Sequence, residues 1–226
     1  MRNKIKDIVA RSYNKALLER KEFYLNGALI QIIDPLTAAI DLDNLISFLK
    51  KRIPDQILNL VDVYYIGNFN VFKKRDTNAA YKDAAIYISN DQDSEKDLVN
   101  DIVHELGHAL IEKEKINIFG DDLIKQEFLS KRKSLKRILK SKGYNVPPSF
   151  NSAAFTQEMD DFLYKEVGYA RLIPLISGLF MSPYSITSLE EYFTSGLEDY
   201  FLGKSPLLKM ISPQLYNKME NYDALD

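Results

Sequence analysis

Both histidines of this 226-residue chain stand in one pentapeptide, His104-Glu105-Leu106-Gly107-His108, and no other short stretch limits the fold as tightly. Residues four apart on an α-helix lie one turn above each other, so the two imidazoles face a common ion if this stretch is helical. Glu105 lies about 100° round the helix from His104 and is placed to reach a water on such an ion rather than to bind the ion itself. Glu112 sits one turn beyond His108 and Glu114 is nearby, but a short continuous helix cannot wrap a third side chain back round the metal. Ligands from a second helix serve tetrahedral geometry better, so the expected fold has a cleft between two helices.

Composition narrows the third ligand. The chain has no cysteine and no further histidine, which excludes thiolate sites, disulfides and a third imidazole, and leaves a carboxylate. Thirty Lys and Arg stand against 32 Asp and Glu, for a net charge of -2, so no global field points to nucleic acid or to an anionic membrane. Charged residues interrupt every apolar run of the N-terminal "MRNKIKDIVARSYNK", and neither a signal-peptide core nor a membrane span is expected. The chain is thus expected to be cytoplasmic at synthesis, with release or carriage in a particle left open. The 46% hydrophobic content is ample for a core.

The pattern along the chain predicts a single α+β domain over residues 1–226, mainly α-helical, with a small β-sheet. Residues 1–55 read as N-terminal helices: an amphipathic one in "IKDIVARSYNKALLERKEFY" and another in "DLDNLISFLKKR", halted before Pro54, with "ALIQIIDP" between them as a strand or a turn of helix. "LVDVYYIGNF" and "AAIYIS" favour strands, and the polar "KKRDTNAAYKD" separates them. Ser94 with Asp97 makes a capping box for the helix that carries the histidines. A long helix is expected from Asp121 to Lys142, stopped by Gly143. It carries eight basic residues from Lys125 to Lys142, and an apolar stripe of Ile124, Phe128, Leu135 and Ile138/Leu139. Its basic residues are expected to form a solvated face. Residues 155–181 read as helices broken near Gly168 or Pro174, and the last helices fall in "LEEYFTSGLEDYFLG" and "SPQLYNKMENY".

The H-E-x-x-H spacing points to zinc chemistry. Zinc lowers the pKa of a bound water to about 7, and Glu105 beside it can act as general base during hydrolysis of a peptide bond. Gly107 in mid-helix costs about 1 kcal/mol relative to alanine, which a close approach by another element would explain. For the carboxylate, the helix "TSLEEYFTSGLEDYF" offers Glu190, Glu191 and Glu198. Thr187 or Ser188 can cap it, and either Glu190 or Glu191 can complete the capping box while the other binds metal.

"HELGHAL" followed by "EEYFTSGLEDYF" resembles the zinc metallopeptidases related to anthrax lethal factor and the clostridial Pro-Pro endopeptidases. The likeness takes in "AAIYIS" as the family's edge strand and covers residues 60–111 and 180–220, roughly half of the chain. It implies a zincin-like fold, Zn2+ held by His104, His108 and Glu191, Glu105 as base, and Tyr184, seven residues before Glu191, as the donor that stabilises the oxyanion. It also implies a protein or peptide substrate laid along strand 84–89. Two features depart from the family. The 82 residues between His108 and Glu191 imply a helical insertion near 115–180, and Ser195 stands where the family often has an acidic residue, so support for a histidine is left to Glu198 or to a residue elsewhere. The competing expectation is a non-catalytic structural or binding protein, a virion or toxin component that keeps such a fold.

Overall fold

Two hairpins and two parallel pairings build a five-stranded sheet in the order β1-β2-β3-β5-β4. The strands are β1 (Phe23–Leu25), β2 (Ala28–Ile32), β3 (Val63–Gly67), β4 (Ala79–Lys82) and β5 (Ala85–Ser89) in a computed structural model that describes residues 22–37, 40–75 and 77–224. β2 runs parallel to β3, and β3 to β5, while β1 and β4 run antiparallel to their single neighbours at the two edges. Parallel neighbours need a crossover. Helices α1 (Leu42–Arg52) and α2 (Asp55–Leu58) lie between β2 and β3, and α3 (Asn70–Arg75) follows β3. Helix α1 begins where the Asp41 carboxylate accepts the Asp43 and Asn44 amides, and it buries Leu42, Leu45 and Leu49.

The chain is therefore α+β, as its pattern predicts, with two local differences. The helical spacing that runs through Phe23 and Tyr24 gives way to β1, because Asn26 and Gly27, at φ of 50° and 90°, close a two-residue hairpin onto β2. The rest of that expected first helix lies outside the described residues. The second difference lies inside "KKRDTNAAYKD", read as a separator, which contains β4. β4 is an edge strand, and "AAIYIS" becomes β5, enclosed between β3 and β4.

Helix α4 (Glu95–Phe119) starts at Ser94, whose hydroxyl accepts the Asp97 amide, and departs from helical geometry at Glu114. Its middle is buried nearly all round, because β4 and β5 pack on one side of it and helix α8 (Leu189–Asp199) on the other. Leu98, Ile102, Leu106, Ala109 and Leu110 all enter the core. Between α4 and α8 come α5 (Leu123–Ser141), a 3-10 turn (Pro148–Asn151), α6 (Gln157–Asp161), a π-helical turn (Phe162–Val167) and α7 (Tyr169–Ile176). The break in this stretch falls at Gly168, in the left-handed region at φ 79°, whereas Pro174 is accommodated inside α7. After α8, a π-helical turn (Tyr200–Lys204) leads into α9 (Ser205–Ile211) and α10 (Pro213–Asp223). Among the described residues no helix is long and apolar enough to cross a membrane.

Candidate metal centre

Helices α4 and α8 meet where their sequences carry least bulk. A Cβ on Gly107 would lie 2.9 Å from Thr194 Cγ2, 3.0 Å from Thr194 Cα and 3.1 Å from Thr194 Cβ. A residue larger than glycine would push the helices apart, which accounts for the helix-weakening residue between the two histidines. Ser188 caps α8 by accepting the Glu191 amide at 3.0 Å, fixing the first turn from which the Glu191 side chain projects toward α4.

The result is a convergence of three side chains. His104, His108 and Glu191 each offer a ligand atom, and these atoms all lie within 4.8 Å of one another. His104 Nε2 is 3.0 Å from Glu191 Oε2, and His108 Nε2 is 3.5 Å from Glu191 Oε1. Two imidazole nitrogens and one carboxylate, all partly buried, form a donor set that could hold a metal ion. The other glutamates do not join them. Glu190 is exposed and paired with Lys115 Nζ at 2.9 Å. Glu198 stands behind the centre, its Oε2 3.8 Å from His104 Nδ1, and Glu112 acts on the hydroxyl of Tyr81.

The electrostatics follow from packing charges in a poorly solvated place. Burial alone would lower the pKa of His104, but the carboxylates of Glu191 and Glu198 outweigh it and raise the ring to about 10. Burial keeps His108 below its ordinary value, only partly opposed by Glu191. Glu191 is held low despite burial by its bond to His104 and the charges of both histidines. Burial lifts Glu105 to about 7, against the pull of His104 and of a hydrogen bond from the Tyr81 amide. That bond, Tyr81 N–H to Glu105 Oε2 at 2.7 Å, joins the edge strand β4 to the histidine helix. Tyr184 sits in a 3-10 turn (Tyr184–Ile186) with its ring centroid 5.9 Å from that of His104. Burial and the charges of Glu191 and Glu105 raise its phenol above the ordinary tyrosine range.

Three participants escaped the sequence. Thr194 Oγ1 lies 3.3 Å from both His104 Nε2 and Glu191 Oε2; its place one turn after Glu191 was a usable signal. Asp101, one turn before His104, is raised to about 6 by burial and accepts the Gln92 amide at 3.0 Å. Tyr81 had no signal, since only the pairing of β4 brings its amide to Glu105. Comparisons with protein-family models, curated proteins and solved structures give no match to this chain.

Proposed function

We propose that this chain is a zinc-dependent endopeptidase with a zincin-like fold, and that Zn2+ is held by His104, His108 and Glu191. The observation that carries the reading is the meeting of those three side chains from two helices, with the Glu105 carboxylate one residue from the first ligand and pinned to a sheet edge. When bound, zinc in such a donor set polarises a carbonyl and acidifies water. Glu105, next to the first histidine and held by the Tyr81 amide, is placed to act as general base: it takes the proton of the attacking water and delivers it to the departing amine. Tyr184 remains protonated over the working range and donates to the carbonyl oxygen as negative charge develops there.

The substrate path differs from the one expected. Strand 84–89 cannot accept a peptide, because β5 is hydrogen-bonded to β3 and β4 on its two sides. Among the described residues β4 pairs with no second strand, and in this reading a peptide is added along it beside α4, passing Glu105 where the Tyr81 amide meets that carboxylate. A protein or peptide is therefore the substrate in this reading, bound along Ala79–Lys82.

The test is a zinc titration joined to cleavage of a peptide library. Wild type should bind one zinc and cleave peptides. Glu105→Gln should keep the metal and lose cleavage, and Glu191→Gln should lose both. Zinc binding with no cleavage of any peptide would leave a metal-binding interaction protein instead.

A further inference from the structure

Helix α5 carries the basic run, and two of its cations do not face solvent. Lys131 is 9% exposed and Arg132 only 1%. Lysine and arginine are seldom buried without partners, so what they hold is informative. Both reach the segment that carries Tyr184 and Glu191, one at each end. Arg132 donates to the Thr187 carbonyl at 3.5 Å and to the Ser152 carbonyl, with its guanidinium over the rings of Phe128 and Phe150. Thr187 in turn donates its hydroxyl to the Tyr184 carbonyl at 2.8 Å, closing the 3-10 turn. Lys131 Nζ donates to the Tyr192 hydroxyl at 2.7 Å and contacts Ser212 Oγ at 2.5 Å.

Tyr192 is the residue after Glu191, and its hydroxyl is saturated. It accepts from Lys131 and donates to Glu127 Oε1 at 2.9 Å, while its ring packs on Phe128 and Phe180. Glu127, one turn before Lys131 on α5, also accepts the Gln214 and Leu215 amides at the start of α10. Helix α10 then presses on α8: a Cβ on Gly196 would lie 2.4 Å from Leu215 Cδ2. Three helices thus grip α8, with α4 at Thr194, α10 at Gly196 and α5 at Tyr192. A helix can still turn about its axis under purely apolar contacts, because these are non-directional. The hydrogen bonds of the Tyr192 hydroxyl are directional, and they lie about 100° round the helix from the Glu191 side chain.

We propose that Lys131 and Glu127 on α5, acting through the Tyr192 hydroxyl, are positioning residues that set the rotation of α8 and so aim Glu191 at the two histidines. Arg132 fixes the preceding turn in the same way. The segment between His108 and Glu191 is then a brace for the metal centre rather than an appendage. This inference rests on the reading of His104, His108 and Glu191 as a metal site.

The experiment titrates the metal-stripped full chain with Zn2+, and with Co2+ to read ligand geometry from its visible spectrum. Tyr192→Phe removes one hydroxyl and keeps the ring; Glu127→Gln keeps an acceptor but weakens the chain of bonds. Both should weaken zinc binding by about tenfold or more and alter the cobalt spectrum, as loss of residues that orient metal ligands does. Tyr200→Phe, whose hydroxyl bonds Asp223 at the surface, should bind as wild type. Wild-type affinity and spectrum in both variants, with only a lower melting temperature, would overturn the inference. If Tyr192→Phe does not fold, Glu127→Gln decides it. Failure of wild type to bind either metal would instead sink the metal reading itself.

Discussion

Single Cβ atoms decide two local questions in this chain, in opposite directions. At Gly107 a methyl group would intrude on Thr194 within 2.9 to 3.1 Å, including its backbone Cα, which no rotamer change can relieve. Gly107→Ala gains about 1 kcal/mol of helix propensity, yet the closeness of α4 and α8 is what brings Glu191 to the histidines. The variant should melt lower and bind zinc at least about tenfold more weakly, in a paired thermal and metal titration; an unchanged affinity would show that the centre tolerates a wider gap. The converse holds at the turn between β4 and β5, where Asp83 and Ala84 both have positive φ, of 52° and 57°. Alanine is strained there by about 1 kcal/mol, and a two-residue hairpin of this kind prefers glycine in the second place. Ala84→Gly should raise stability by about 1 kcal/mol in a urea titration, less the entropy that glycine adds to the unfolded chain.

Elements whose signals are local were legible in the sequence, and those made by long-range pairing were not. Helices α4 and α8 announce themselves through Ser94 with Asp97 and Ser188 with Glu191, each serine accepting an amide three residues on. The Asn26-Gly27 hairpin signal was also present, but the helical spacing of the apolar residues before it masked β1. β4 is short, and its sequence of two alanines, a tyrosine and a lysine carries little strand preference; β5 and Glu105 give it its place. The inward turn of Lys131 and Arg132 runs against the default for charged residues. Its cost should be measurable. Burial lowers Lys131 to about 8 from 10.5, so between those values the unfolded chain holds a proton that the folded chain has released. Stability from this group therefore rises with pH from about 8, up to a limit on the order of 3 kcal/mol. Above pH 10 the buried tyrosines Tyr64 and Tyr192 oppose it, since both resist ionisation when folded. The melting-temperature difference between wild type and Lys131→Met should shift in favour of wild type from pH 7.5 to 10. A constant difference would mean that Lys131 keeps its ordinary affinity for protons.

Across the whole molecule the candidate centre joins two bodies of structure, with the α4–α8 pair as their most extensive meeting. The sheet and α4 position His104, His108 and Glu105, while α8, packed against α5 and α10, carries Glu191. An ion that binds only the assembled arrangement stabilises the fold by mass action, by about 2.7 kcal/mol when free metal is a hundredfold above its dissociation constant. Chelation should therefore lower the melting temperature of the wild-type chain, and added zinc should restore it in proportion to the logarithm of its concentration. Glu191→Gln should lose most of that response, because the two histidines on α4 belong to one element and bind without linking it to another. Glu190→Gln, which breaks only an exposed pair with Lys115, should keep the response in full. If zinc raised the melting temperature of the Glu191 variant as much as that of wild type, the ion would be bound by α4 alone, and the meeting of the two helices would have another purpose.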